Sequence, residues 1–171
     1  LDYGSGNLRS ATKAFERAAR ESGLAAYIDL TADPERVRTA DRIVLPGVGA
    51  FDDCLQALQR QELAGAVQDW ISAGRPFLGI CVGYQALFDR SEEFNSCALG
   101  LGVFHGPVVR FQPTAAEPHL KIPQIGWNEV EITPSGAPMF AGIPDRSHFY
   151  FVHSFYPSPA DPSVSAGSSD Y

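Results

Sequence analysis

The sequence predicts an α/β fold with a mostly parallel central sheet, helices on both faces and a smaller antiparallel layer. Three observations predict it. Between Asn7 and Gln85 short apolar runs alternate with helical patterns, the order that builds a parallel sheet. After about Gly100, glycine, proline and aromatic residues increase and short strands replace helices. No internal repeat and no Ser/Gly-rich linker separates the halves, so residues 1–171 read as one domain.

The elements follow in order. A helix from Asn7 to about Glu21 places Leu8, Ala11, Phe15, Ala18 and Ala19 on one face. Ser5 or Asn7 caps it, and Gly23 ends it. Ala25–Leu30 reads as a strand. Asp33 and Pro34 open a short helix as cap and first residue. Arg42–Leu45 is a second strand, leading into Pro46-Gly47-Val48-Gly49. Helical segments run from Asp52 to Leu58 and from Glu62 to Ala73, where Gly74 and Pro76 stop them and the strand towards Cys81 begins. Later strands are expected at Val103–Phe104, Val108–Phe111, Asn128–Ile132 and Phe149–His153. Ser165–Tyr171 reads as a strand and turn.

Composition narrows the function. Apolar residues make up 44% and charged residues 19%, ordinary values for a soluble globular protein. A net charge of −7 argues against nucleic acid or an anionic membrane as partner. No apolar run approaches the ~20 residues of a membrane span. No signal-peptide pattern is visible. Cys54, Cys81 and Cys97 are odd in number, widely spaced and without Cys-x-x-Cys, so neither a disulfide framework nor a zinc site is expected. A reducing cytosol fits that usage, and no metal or cofactor is called for. Both ends look cut: Leu1 leaves a first strand without its beginning, and nothing follows the last turn.

The chemistry centres on Gly79-Ile80-Cys81-Val82-Gly83. An apolar run feeds a cysteine flanked by glycines two residues either side, with a helical run after it. That is a nucleophile elbow, with sulfur in place of serine. Gly79 and Gly83 let strand and helix approach closely around the turn. The cysteine lands at a helix N-terminus, which favours the thiolate over a thiol of ordinary pKa near ~8.5. The bland reading, a small buried hydrophobe, loses to the paired glycines. Pro46-Gly47-Val48-Gly49 should close its strand at the same sheet edge, where its glycines leave backbone N–H groups unscreened for an oxyanion, with Val82 N–H as a second donor.

A cysteine nucleophile usually needs a base. His105 and His119 lie in turns, and His148 and His153 point to opposite faces of one strand. None is marked by an orienting carboxylate, so the base is expected outside residues 1–171. Asp2-Tyr3-Gly4-Ser5-Gly6-Asn7 is a weak nucleotide turn, because Arg9 stands where the last glycine should be. Trp127 is either core or an exposed interface anchor.

Taken together, Asp2–Leu8, Leu45–Phe51, Gly79–Gln85, Arg90–Glu93, Pro123–Val130, Tyr150–Ser154 and Asp170-Tyr171 make the chain resemble the class I glutamine amidotransferases. Within them it resembles the glutaminase subunits of imidazole glycerol phosphate synthase. The resemblance implies a three-layer, flavodoxin-like fold. It implies that Cys81 attacks the glutamine amide, with Val48, Gly49 and Val82 forming the oxyanion hole after the loop rearranges. Gln85 and Glu93 would hold glutamine, and the Ser154-Phe155 backbone its α-carboxylate. Ammonia would pass to a cyclase subunit with a (β/α)₈ barrel, forming a heterodimer for histidine biosynthesis, with Asn7, Trp127 and Asn128 facing that partner. Val82 and Tyr84 replace the commoner leucine and methionine, and Gln124 stands where histidine is frequent. A His-Pro-Glu segment expected about 25 residues beyond Tyr171 would supply base and orienting carboxylate, so residues 1–171 alone should hydrolyse little glutamine. Other readings are a different class I amidotransferase, such as that of anthranilate or guanylate synthesis, and a catalytically silent docking module.

Overall fold

The computed structural model describes residues 1–115, 117–136 and 138–171. The Asn7 side chain accepts from Ser10 N at 3.4 Å and opens helix α1, Leu8–Glu21. Asp33 accepts from Glu35 N at 2.9 Å and opens α2, Pro34–Thr39. Both caps work as the sequence predicts, since an Asx side chain satisfies an N–H that has no helical acceptor.

Strand β1, Ile43–Gly47, pairs in parallel with β2, Phe77–Cys81, with Leu45 opposite Gly79 and Gly47 opposite Cys81. The crossover carries α3, Phe51–Arg60, and α4, Leu63–Ser72. Phe51, Cys54, Leu55 and Leu58 recur at helical spacing and are all buried, as are Leu63, Ala66, Val67 and Trp70 of α4. Each large apolar side chain so buried contributes about 1.5–3 kcal/mol. Trp70 Nε1 donates to Pro76 O at 3.0 Å, and the Arg75 guanidinium lies 3.3 Å from the Trp70 ring centroid. These contacts close the corner from which β2 departs.

One helical turn, α5 (Val82–Gln85), follows β2. Beyond it β3, Arg90–Ser91, pairs in parallel with β4, Pro107–Arg110. The antiparallel layer expected after Gly100 is present. It comprises β5 (Gln124–Ile132), β6 (Ser147–His153), β7 (Phe155–Pro157) and β8 (Gly167–Ser168). Strand β7 pairs with β4, while β5 lies between β6 and β8.

Two strand expectations fail. Ala25–Leu30 joins no ladder: Tyr27 is exposed, Ala26 N bonds back to Leu24 O at 3.0 Å, and the nearby backbone link is Asp2 N to Thr31 O at 2.9 Å. β propensity alone does not make a strand without a neighbouring edge. Val103-Phe104 is a loop, because both N–H groups go to one acceptor, Leu87 O, at 2.8 and 3.0 Å. Phe104 instead packs its ring on Phe88 at 5.5 Å. Among the described residues no helix is long and apolar enough to cross a membrane.

The elbow rests on missing side chains. A Cβ at Gly83 would lie 2.0 Å from Leu45 O, one at Gly79 2.6 Å from Tyr84 Cα, and one at Gly47 2.4 Å from Gly83 N. All three obstacles are backbone, which cannot swing aside. Gly65 on α4 is exposed, with nothing within 4 Å of the equivalent position. Gly83→Ala should therefore cost about 3 kcal/mol or more in urea unfolding. Gly65→Ala should gain about 0.5–1 kcal/mol in the same assay.

Candidate active site

Cys81 ends β2 and stands at the N-cap of α5 with φ 55° and ψ −120°. A residue with a Cβ rarely adopts positive φ, and such strain costs about 1–3 kcal/mol. The close approach of α5 to both strands maintains it. The bend leaves Cys81 exposed, whereas Cys54 is buried. The following helix is a single turn, shorter than the sequence pattern suggests, and Val82 N–H is one of its first donors, which have no acceptor within a helix.

Because Gly47 is the register partner of Cys81, Val48 and Gly49 continue immediately beside the thiol-bearing bend. Val48 is exposed, and Gly49 has φ 86° with open space around its α-carbon. The parallel pairing thus brings together Cys81, Val82, Val48 and Gly49. Gly47, grouped with that loop by the sequence, instead has a packing role against Val82 and Gly83.

Glu93 holds the far end of the loop. Helix α3 starts after Ala50, which has no capping oxygen, and Glu93 Oε2 accepts from Phe51 N at 2.9 Å across 42 residues of chain. Glu93 N in turn donates to Ser91 Oγ at 3.1 Å. Asp52 adds a second tie, accepting from the Ser96 hydroxyl and from Cys97 N. Sequence reasoning missed this cap, although an acidic residue suits an N-terminus whose own cap position is alanine.

Gln85 is buried, and its Nε2 donates to Phe155 O at 3.3 Å. That carbonyl also accepts from His153 Nδ1 at 2.8 Å, and Ser154 O accepts from Phe111 N at 3.0 Å. The elbow helix is thereby tied to the Ser154-Phe155 backbone. A carbonyl only accepts, so His153 carries its proton on Nδ1. Its Nε2 is buried without a partner, and the ring packs 5.1 Å from Phe111. Contrary to the sequence reading, one histidine does meet a carboxylate: His105 Nδ1 lies 3.4 Å from Asp89 Oδ1. That pair is exposed, and Asp89 also accepts from Gly106 N at 2.9 Å, so it closes the loop leaving α5. The Gly106 N–H and then His105 hold the Asp89 carboxyl below the usual carboxylate range. Among the described residues no histidine hydrogen-bonds Cys81.

The three predicted interface residues lie on two elements. Asn7 caps α1, behind a turn whose Gly6 abuts Pro46 O. Trp127 is exposed on β5, its ring 5.5 Å from Tyr150 of β6. Asn128 bridges Gln124 Nε2, at 3.0 Å, and Asp170 O, at 3.1 Å.

The family model for class-I glutamine amidotransferases matches residues 2–170. The chain belongs to that family. Among curated relatives it is similar to the imidazole glycerol phosphate synthase subunit HisH of Mesorhizobium japonicum, at 53% identity over 176 residues, covering all of this chain and 80% of that one. The same subunit of Rhizobium meliloti is 54% identical over 164 residues, covering 91% and 73%. That of Neisseria meningitidis is 47% identical over 174 residues, covering 100% and 80%. A solved glutamine amidotransferase superimposes with a TM-score of 0.67 at 16% identity, over 95% of this chain and 75% of that one. The parallel and antiparallel sheets with their helices are therefore the class I amidotransferase fold.

If the Glu93 cap holds this amidotransferase's loop, Glu93→Ala should lower unfolding stability by about 1.5 kcal/mol. Glu93→Gln, which retains a carbonyl acceptor for Phe51 N–H, should lose less than half of that in the same urea titration.

Proposed function

We propose that this chain is the glutaminase subunit of an imidazole glycerol phosphate synthase, with Cys81 as its nucleophile. The observation that carries the assignment is the strained, exposed Cys81 held in register with Gly47, so that the Val48-Gly49 backbone adjoins it. Relatives about half identical over the whole chain carry that synthase's name. Residues 1–171 form one amidotransferase domain.

The chemistry follows from the placement. A general base takes the proton of the Cys81 thiol, and Sγ attacks the side-chain carbonyl carbon of glutamine. The carbonyl oxygen takes the negative charge, for which Val82 N–H and the Val48-Gly49 amides are donors. One such donor is worth roughly 10²–10³ in rate. The base returns that proton to the departing nitrogen as the tetrahedral adduct collapses, which expels ammonia and leaves a thioester; the same base then takes a proton from water, which cleaves the thioester to glutamate, and the thiol is reprotonated. Gln85, Glu93 and the Ser154-Phe155 backbone would bound the glutamine site. In this reading the first two also brace it, through Phe155 O and Phe51 N. No metal or cofactor enters these steps.

The ammonia is consumed by a cyclase subunit with a (β/α)₈ barrel, which forms a heterodimer with this chain through Asn7, Trp127 and Asn128. Solvent exposure of a tryptophan on a strand is what such a contact requires. The complex works in the cytosol, where unpaired thiols stay reduced.

In the complete natural enzyme, Cys81→Ala should abolish glutamine-dependent synthesis while synthesis from added ammonia persists. Glutamine-dependent turnover by that variant would refute the assignment. Labelling supplies an independent check. Cys97 is exposed as well as Cys81, so a difference in labelling between them reports more than access. An electrophilic glutamine analogue should label Cys81 at least tenfold faster than Cys97, as read by peptide mass spectrometry. Equal rates would point to a silent docking module.

A further inference from the structure

His153 and Phe155 stand on either side of the bend between β6 and β7. Along β4 and β7 the backbone bonds alternate: Phe111 N donates to Ser154 O at 3.0 Å and Ser158 N to Pro107 O at 2.8 Å, while Phe155 faces Arg110 in register. A residue between two such bonded pairs turns its own N–H and C=O away from the partner strand. The Phe155 backbone therefore faces away from β4, on the side where Gln85 of the elbow helix reaches it. Its carbonyl accepts twice, from His153 Nδ1 at 2.8 Å and from Gln85 Nε2 at 3.3 Å. The His153 ring makes no other polar contact among the described residues. Its Nε2 is buried without a partner, and it packs 5.1 Å from Phe111 and 5.8 Å from Phe151. A phenylalanine would meet the same neighbours and leave no buried nitrogen unpaired, so packing alone disfavours histidine here. The Nδ1 bond is what the imidazole adds.

We infer that His153 is a positioning residue for the α-carboxylate of glutamine, acting through the Phe155 backbone. The two peptides that meet at the Phe155 α-carbon are each held at the carbonyl, the first by Phe111 N on Ser154 O and the second by His153 on Phe155 O. With both fixed, the Phe155 N–H is held in one direction, away from β4, where a carboxylate can accept it. Gln85 is the more distant donor, and in the proposed site its amide also meets substrate; His153 holds the carbonyl whichever way Gln85 turns. A donor fixed before substrate arrives loses no freedom on binding, which strengthens the complex. The α-carboxylate does not change charge while Cys81 attacks the side-chain amide. The contact is therefore equally strong in ground and transition states, and it acts on KM rather than kcat. This inference rests on the reading of the Ser154-Phe155 backbone as the carboxylate subsite.

The test uses the complete enzyme and compares wild type, His153→Phe, His153→Asn and Cys81→Ala. His153→Phe keeps a ring and deletes the donor. Its KM for glutamine should rise about tenfold while kcat changes by less than about twofold. His153→Asn places an amide N–H near the position of Nδ1 and should bring KM back to within about threefold of wild type. A ring needed only for packing would give the reverse order, with His153→Asn the worse variant. Labelling supplies a reading that needs no turnover. A chloroketone analogue of glutamine, which carries the α-carboxylate, should label Cys81 about tenfold more slowly in His153→Phe than in wild type. Iodoacetamide, which lacks that group, should label both at the same rate. An unchanged KM, a loss confined to kcat, equal slowing with both reagents, or His153→Asn no better than His153→Phe overturns the inference. The subsite is read separately: glutamine added to Cys81→Ala should shift the Phe155 amide resonance, and no shift overturns the subsite itself. Turnover by Cys81→Ala overturns Cys81 as nucleophile.

Discussion

Helix α5 can lie against β1 and β2 only because three positions have no side chain. The Gly83 α-carbon faces the Leu45 carbonyl, Gly79 faces the Tyr84 backbone, and Gly47 faces the Val82–Gly83 peptide. Backbone-to-backbone contact at this range leaves a single way to join strand and helix. The joint is Cys81, and its positive φ is the geometric consequence. The packing supplies the energy that holds an unfavourable backbone conformation at Cys81, whose side chain is exposed.

From that joint the other constraints radiate through backbone groups. Parallel register delivers Val48 and Gly49 to the thiol, and Glu93 holds the start of α3 just beyond them. Gln85 carries the link through Phe155 O to His153 and the antiparallel layer. The loop beside Cys81 is thus tied at both ends.

Local signals were legible where the physics is local. Asn7 and Asp33 cap helices as written, the α3 and α4 faces follow their 3.6-residue spacing, and the β5–β6 pair alternates as its residues do. Legibility failed where the outcome depends on a distant neighbour. Ala25–Leu30 has strand-like residues but no adjacent edge, and Val103-Phe104 gives its N–H groups to Leu87 O rather than to a ladder. The Glu93 cap joins residues 42 apart, and no periodicity reports such a contact. The exposed His105–Asp89 pair, which joins residues 16 apart, was illegible for the same reason.

The spacing of glycines around Cys81 was sufficient to determine the elbow, because a missing Cβ is a chemical fact that holds in any surroundings. The sequence likewise determined the family, through ordered motifs along the whole chain. Only the tertiary structure decided that Gly47 belongs to the packing, that Glu93 and Gln85 brace backbone groups, and that the Tyr3 hydroxyl is buried without a partner. Those assignments depend on which polar groups the folded chain leaves without water, and that is set by packing rather than by neighbours in sequence.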